Sequence, residues 1–353
     1  MSIFPPRDVR VDWSLDAPTW EASIAGCKDA TFFHTGAWLR AVGMTFGTEI
    51  VPVRFTLPDG RWALLPLSIR RLAKGILPLA TAGETGAYSG LVGPEPLEAP
   101  EADLCYRAVI SRYPDLVVMG SPYARGAHMP GPALGERIEQ HTHMLTLAPF
   151  EALRQGFSRG CKARGNKARR AGLTVRVSQD PRDAGVFYKL YLDSTRRWGD
   201  KLTWARPQAF FEDLVREGAP HVQLFLAYDQ DRPIAGLLMA AYGEAVHYIA
   251  GATDADFLQS CPSNLLMEEA MDHYQAAGFK HFDFGPSNGL AGVIQFKESF
   301  GAAPVSFLAQ RHQSPQGQLY FALRAARERV SERAQEVFHA RRREAPRLAT
   351  APH

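Results

Sequence analysis

Over residues 246–251 the chain carries a short, mostly apolar run, VHYIAG, of strand length. From 262 onward the spacing changes. Leu266, Met267, Ala270, Met271, Tyr274 and Ala277 recur three and four apart, which predicts a helix over 262–277 with these residues on its buried stripe. Glu268, Glu269 and Asp272 fall opposite and are expected to face water. Pro262 suits the first turn, Cys261 or Ser263 can cap it, and Gly278 can end it. A buried strand over 281–284 follows at once. Strand, helix, strand with so tight a return is a crossover between parallel neighbours, and it aims the helix N-terminus at whatever lies beyond the strand ends.

The same succession occurs earlier. Helical patterns over 18–28, with Trp20, Ile24 and Cys27 inward, and over 37–46 precede two apolar runs, 50–56 and 61–69, that flank Pro58-Asp59-Gly60, a hairpin signal. Residues 81–94 hold Gly83, Gly86, Gly90 and Gly93 with little charge, which fits close approach to a ligand or a looped crossing. A helix over 101–113 and a buried strand over 116–119 follow. In the second half, runs at 221–228 and 233–241 flank a turn ahead of the 246–284 unit. Even the exits match: Met119-Gly120-Ser121-Pro122 and Phe284-Gly285-Pro286-Ser287. The repetition predicts the α/β (mixed α+β) class, with two copies of one mixed β-sheet flanked by helices. The expected division is 1–148, 149–314, and a C-terminal helix and tail over 315–353, whose Leu319, Leu323, Val330, Ala334, Val337 and Phe338 would pack on the body.

Composition narrows the function. At 353 residues, 46% apolar and 22% charged, core volume is not limiting. A net charge of +3 is too small to argue for nucleic acid, so any basic site must be local. Cys27, Cys105, Cys161 and Cys261 form no C-x-x-C pair, which speaks against a zinc site or disulfide framework. The first residues lack the apolar core of a signal peptide, and no apolar run approaches the ~20 residues of a spanning helix. A cytoplasmic protein is expected.

His281-Phe282-Asp283-Phe284-Gly285, then Gly292, then Phe296-Lys297 ahead of Phe300-Gly301-Ala302, resembles the closing signature of the Fem-type (FemAB-like) branch of the GNAT acyltransferase superfamily. Phe32-Phe33-His34-Thr35-Gly36-Ala37-Trp38-Leu39 resembles its N-terminal signature, and Leu190 through Arg196-Arg197-Trp198-Gly199 its mid-chain helix. The resemblance implies two tandem GNAT-like domains and transfer of an acyl or aminoacyl group to an amine. It also implicates Lys297 in the transfer step at the donor ester. The chain departs from the wider superfamily in one place: residues 254–263 contain no glycine where CoA-binding relatives carry a glycine-rich pyrophosphate arm. It also has no room for the paired helical arm of several peptidoglycan-modifying Fem ligases.

Acyl transfer to an amine has definite needs. An alkylamine is protonated at pH 7, and freeing its lone pair costs roughly 4 to 5 kcal/mol. Asp283, or Asp254 or Asp256 in the loop, is the candidate base. Lys297 is the candidate for stabilising charge on the carbonyl oxygen. The amides of Ser263, Asn264 and Leu265 could cradle a donor phosphate. Arg164, Lys167 and Arg170 belong to a stretch, 154–176, with eight cations and no acid, readable as a solvated face or an anion site; with Phe296 and Tyr248 they are the candidate substrate contacts.

Three further motifs were weighed. Gly285-Pro286-Ser287-Asn288-Gly289 matches the G-x-S-x-G nucleophile elbow, but no Asp follows Asp283 and the later histidines lie towards the tail. Glycines in 160–167 sit at P-loop spacing, but Asn166 interrupts the Gly-Lys pair and the surroundings are helical. His141 and His143 share a strand face and are read as a surface or hydrogen-bonded pair, not a metal site. The expected protein is thus an N-acyltransferase with an acyl-CoA-type thioester as co-substrate, a small amine as acceptor, and no tightly bound cofactor or metal. The alternatives are an aminoacyl-tRNA-dependent transferase acting on a peptidoglycan precursor or other amine, and a non-catalytic anion-binding module.

Overall fold

The computed structural model describes residues 9–83, 87–198, 206–287 and 289–327. In chain order, β1 (Arg10–Asp12), α1 (Ala17–Ala25), α2 (Gly36–Phe46), β2 (Glu49–Thr56), β3 (Trp62–Leu72), β4 (Leu77–Ala82), α3 (Ala99–Arg112) and β5 (Asp115–Met119) lead to β6 (Glu136–Thr146), α4 (Phe150–Gly156) and α5 (Arg159–Arg170). The first order then recurs as β7 (Thr174–Ser178), α6 (Pro181–Trp198), α7 (Gln208–Gly218), β8 (Val222–Asp229), β9 (Arg232–Tyr242), β10 (Ala245–Thr253), α8 (Pro262–Ala276) and β11 (His281–Pro286). The chain continues through α9 (Ala291–Glu298), β12 (Ala303–His312) and a helix over 315–327.

All twelve described strands join one sheet in the order β1-β2-β3-β4-β5-β12-β6-β11-β10-β9-β8-β7. Within each half three antiparallel neighbours are followed by a parallel pair, β4 with β5 and β10 with β11, bridged by α3 and α8 respectively. The repeat inferred from the sequence is therefore real in space. The halves also exchange their final strands: β6 lies between β12 and β11, and β12 lies between β5 and β6.

Local chemistry sets the elements. Asp16 accepts a hydrogen bond from the Thr19 amide at 3.0 Å to start α1, and Thr35 caps α2, which ends on Gly47 in the left-handed region. The residues expected inward on α1, Trp20, Ile24 and Cys27, are buried. The two halves meet where α2 packs on α7. Trp38 sets its ring edge to Phe210 at 5.9 Å, and Arg40 pairs with Glu217 at 2.9 Å.

Several expectations need correction. β4 and β12 carry no clear period and were not anticipated. Cys261, in the left-handed region at φ 60°, is the N-cap of α8 without a side-chain hydrogen bond, while the Ser263 hydroxyl pairs instead with Thr253 at 2.8 Å. Ala277 is exposed, just beyond the helix. Glu268 is fully buried: Arg169 of α5 donates to it at 2.6 Å, and the Arg154 Nε lies 3.6 Å away. A Cβ at Gly165 would stand 2.0 Å from Glu268 Oε1, so this glycine makes room for the carboxylate and has no phosphate-loop role. At Gly90 (φ 121°) a Cβ would meet the His128 carbonyl at 2.8 Å, which settles that segment as a looped crossing of chain over chain; Gly86 lies outside the described residues. Leu319 and Leu323 are exposed at 61% and 62%, so these two do not pack on the body as expected, although Gly317 of the same helix is buried against Asp115, and residues 328–353 lie outside the description. No described helix is long and apolar enough to cross a membrane.

The Glu268 pair is asymmetric, because Arg169 is 37% exposed on its side chain and Glu268 is not exposed at all. Removing Arg169 leaves the carboxylate only Arg154, 3.6 Å away, whereas removing the carboxylate leaves a cation that water can reach. Arg169→Met should therefore cost about 3 kcal/mol and Glu268→Gln clearly less. Urea denaturation of both variants checks the order; equal losses would mean that the pair is not behaving as a buried ion pair.

Candidate active site

β10 and β11 are hydrogen-bonded neighbours for three residues only, 245–247 against 281–283. Past that point β10 shifts register between Tyr248 and Ala250, and β11 shifts between Asp283 and Pro286 as it turns to β6. The strands part, and two adjoining clefts lie beside the later part of β10. One, of about 710 Å³, is walled by Ser158, Gly160 and Arg164 of the α5 region, by Ser263 and Asn264 of α8, and by Gly292, Gln295 and Phe296 of α9. The other, of about 250 Å³, reaches Ser194 and Arg197 of α6 and Tyr248, Gly251 and Ala252 of β10. Thr253, Leu258, Ser263 and Phe296 line both. The larger cleft faces the N-terminal ends of two helices, α5, capped by the Ser158 side chain at 3.1 Å from the Cys161 amide, and α8. Their dipoles and Arg164 make this a positive chamber.

Lys297 is not on the helix surface. It is 4% exposed, and its Nζ donates to the carbonyls of Gly285 at 2.5 Å and Pro286 at 3.1 Å, groups at the strand end that β10 has left. Burial pulls its ammonium down to about 8, against a smaller opposing effect of Asp283.

Asp283 is wholly enclosed and lines neither cleft. Its carboxylate accepts from the Thr142 hydroxyl at 2.6 Å, the Gly285 amide at 2.8 Å, Tyr123 at 3.0 Å and Tyr88 at 3.4 Å, with His247 Nδ1 at 3.5 Å. Burial pushes its pKa up, but His247, Thr142 and the Gly285 amide outweigh burial and hold it below the ordinary carboxylate value. A base with a lowered pKa and occupied lone pairs has little to offer a substrate, so the geometry argues against the base role expected for Asp283. Asp254, one alternative, is tied to Arg232 at 2.6 Å and caps the turn before α8 through the Asp256 amide at 3.1 Å.

The remaining candidates separate. Ser263, Phe296, Tyr248 and Arg164 stand on the clefts. Asn264 also lines the larger one, but it is buried, its amide is given to the Cys261 carbonyl at 3.1 Å and its side chain to Cys161 Sγ at 3.6 Å. Leu265 belongs to the core. Lys167 and Arg170 are exposed along α5, outside both clefts. Ser194 and Arg197, which line the smaller cleft, are site residues that the sequence marks only through the Arg-Arg-Trp-Gly stretch containing Arg197. No group of three metal-ligating side chains occurs among the described residues.

Residues 156–298, the segment that builds both clefts, match the family model described as an acetyltransferase (GNAT) domain. This segment is a GNAT acetyltransferase domain. The whole chain carries the Fem-type tandem-GNAT fold: FemX superposes with a TM-score of 0.66 at 14% identity, over 89% of this chain and 99% of FemX. A conserved protein of unknown function from Bacteroides thetaiotaomicron matches at a TM-score of 0.57 and 12% identity, covering 86% and 99% of the two chains. The C-terminal domain of a putative lysylphosphatidylglycerol synthetase from Agrobacterium fabrum matches at 0.51 and 16%, covering 81% and 90%. No curated protein matches by sequence.

Because Lys297 titrates near 8 when folded and near its ordinary 10.5 when unfolded, the unfolded chain binds more protons between these values, and stability contributed at this site rises with pH across that window. Below pH 8 both states are charged and the burial cost is constant. Lys297→Met removes this dependence. The stability difference between variant and parent should therefore move in the parent's favour by roughly 2 kcal/mol from pH 8 to 10. Denaturation at several pH values checks it; a flat difference would mean the lysine is not desolvated.

Proposed function

We propose that the protein transfers an acyl group from an acyl-CoA-type thioester to an amine by direct attack, without a covalent enzyme intermediate. The observation that carries this reading is the 710 Å³ cleft, where Arg164 and the N-terminal ends of α5 and α8 converge on one chamber. Phosphates of the donor would lie at Ser158, Gly160, Arg164 and Ser263, in place of the glycine-rich arm that 254–263 lacks. The acyl arm would run along α9 past Phe296 toward Glu298, at the edge of the same cleft. Lys297, which lines neither cleft, would act from behind the Gly285 and Pro286 carbonyls it holds, its charge favouring the carbonyl oxygen as it becomes negative. Asp283 acts as a positioning residue that fixes β11. The amine nitrogen forms the C–N bond, the C–S bond breaks, and the thiolate leaves with a proton.

One observation favours an aminoacyl-tRNA donor as the second reading. Arg159, Lys167 and Arg170 continue the charge of Arg164 along the exposed side of α5. The likeness to FemX and to a putative lysylphosphatidylglycerol synthetase agrees with aminoacyl transfer at the level of fold.

Titration with acyl-CoA and with charged tRNA at two salt concentrations tests both. Acyl-CoA should bind with a shallow salt slope and lose roughly tenfold in affinity in Arg164→Ala. Tight tRNA binding that collapses with salt, without CoA binding, would transfer the assignment to the second reading. Binding of neither would overturn the donor cleft and leave a non-catalytic role standing.

A further inference from the structure

Helix α9 separates the donor cleft from a second pocket of about 390 Å³, lined by Glu139, His141 and His143 of β6, by Pro286 and Ser287 after β11, and by Glu298, which lines both chambers. The two chambers differ in sign. The cleft presents Arg164 and helix N-termini; the described lining of the pocket includes two carboxylates, two imidazoles and no lysine or arginine. Within it His143 is 4% exposed, with Nδ1 3.4 Å from the Ser287 hydroxyl and Nε2 4.0 Å from Glu298 Oε1. The latter separation is too long for a hydrogen bond. An ammonium nitrogen about 2.8 Å from each atom would complete a triangle across it.

We infer that this pocket takes the acceptor, as a cationic primary alkylamine held between the Glu298 carboxylate and His143 Nε2, with His143 receiving the proton as the amine becomes a nucleophile. The inference rests on the acyl-transfer reading and names its acceptor site. Ser287 accepts from Nδ1–H, which leaves the Nε2 lone pair toward the substrate. One N–H proton passes to Nε2, the freed lone pair forms the C–N bond, the C–S bond breaks, and the thiolate takes a second proton from the former amine nitrogen. His143 then releases its proton to solvent.

The surroundings favour a neutral imidazole. Burial lowers the His143 pKa below its usual 6.5; Lys297 and His141 add to this, and Glu298 and Asp283 oppose it. A base that is neutral at pH 7 and still basic enough to accept a proton meets the need that the enclosed Asp283 does not.

The test needs no donor, so its result is separable from that of the donor titrations. Butylammonium is titrated into the ¹⁵N-labelled full chain while histidine imidazole resonances are followed, the His143 signal being assigned by its loss in H143Q. Saturable movement of that signal with butylammonium but not with butan-1-ol is expected. Glu298→Gln, at a side chain 52% exposed and so without consequence for folding, should weaken the amine by roughly tenfold. An unmoved His143 signal, or equal movement with the alcohol, would overturn the acceptor assignment even if acyl-CoA binds as proposed. So would rapid labelling of Ser287 by a fluorophosphonate, which would make the pocket a nucleophilic-serine site.

Discussion

A carboxylate with no access to water fixes the geometry of the whole centre. Asp283 collects donors from β6 through Thr142, from loops of the first half through Tyr88 and Tyr123, and from its own strand end at Gly285, with His247 of β10 beside it. An uncompensated charge there would cost several kcal/mol, so these groups are obliged to stay where they are. Phe33 lies against His247 at 4.8 Å between ring centres, which ties the first half's aromatic cluster to the same point. β11 is thereby anchored to both halves at the residue after which β10 abandons it.

The abandoned strand end explains the run of three residues on α9. Adjacent helical positions point about 100° apart. Phe296 enters the clefts, Lys297 turns under to the carbonyls of Gly285 and Pro286, and Glu298 stands at the border with the neighbouring pocket. One short helix therefore supplies an apolar wall, a buried cation and an anionic edge. Its position depends on β11, and hence on Asp283.

How much of this was legible follows from range. The α8 stripe, the hairpins and the doubled order are encoded in spacings of two to four residues, and they appear where the pattern places them. Glu268 looked solvent-facing because helical period says only which residues share a side; the partner that buries it, α5, is about a hundred residues earlier. Asp283 looked like a reachable base at a strand end, and nothing local announces the two tyrosines that enclose it. The elbow at Ser287 has no Asp after it and only late histidines, yet the fold brings a histidine from upstream, His143, across a strand exchange that leaves no mark in periodicity. The family resemblance singled out Lys297, but its burial depends on carbonyls freed by the splay of two strands.

That exchange also governs the order in which the protein can be made. The first half emerges from the ribosome with β5 lacking its eventual neighbour, because β12 is residues 303–312. β6 likewise waits for two strands from the far end of the chain. An unpaired strand edge is an invitation to mispair, and contacts of such long sequence separation form late. Although the molecule repeats one unit twice, neither copy can close its sheet until β12, residues 303–312, has been made.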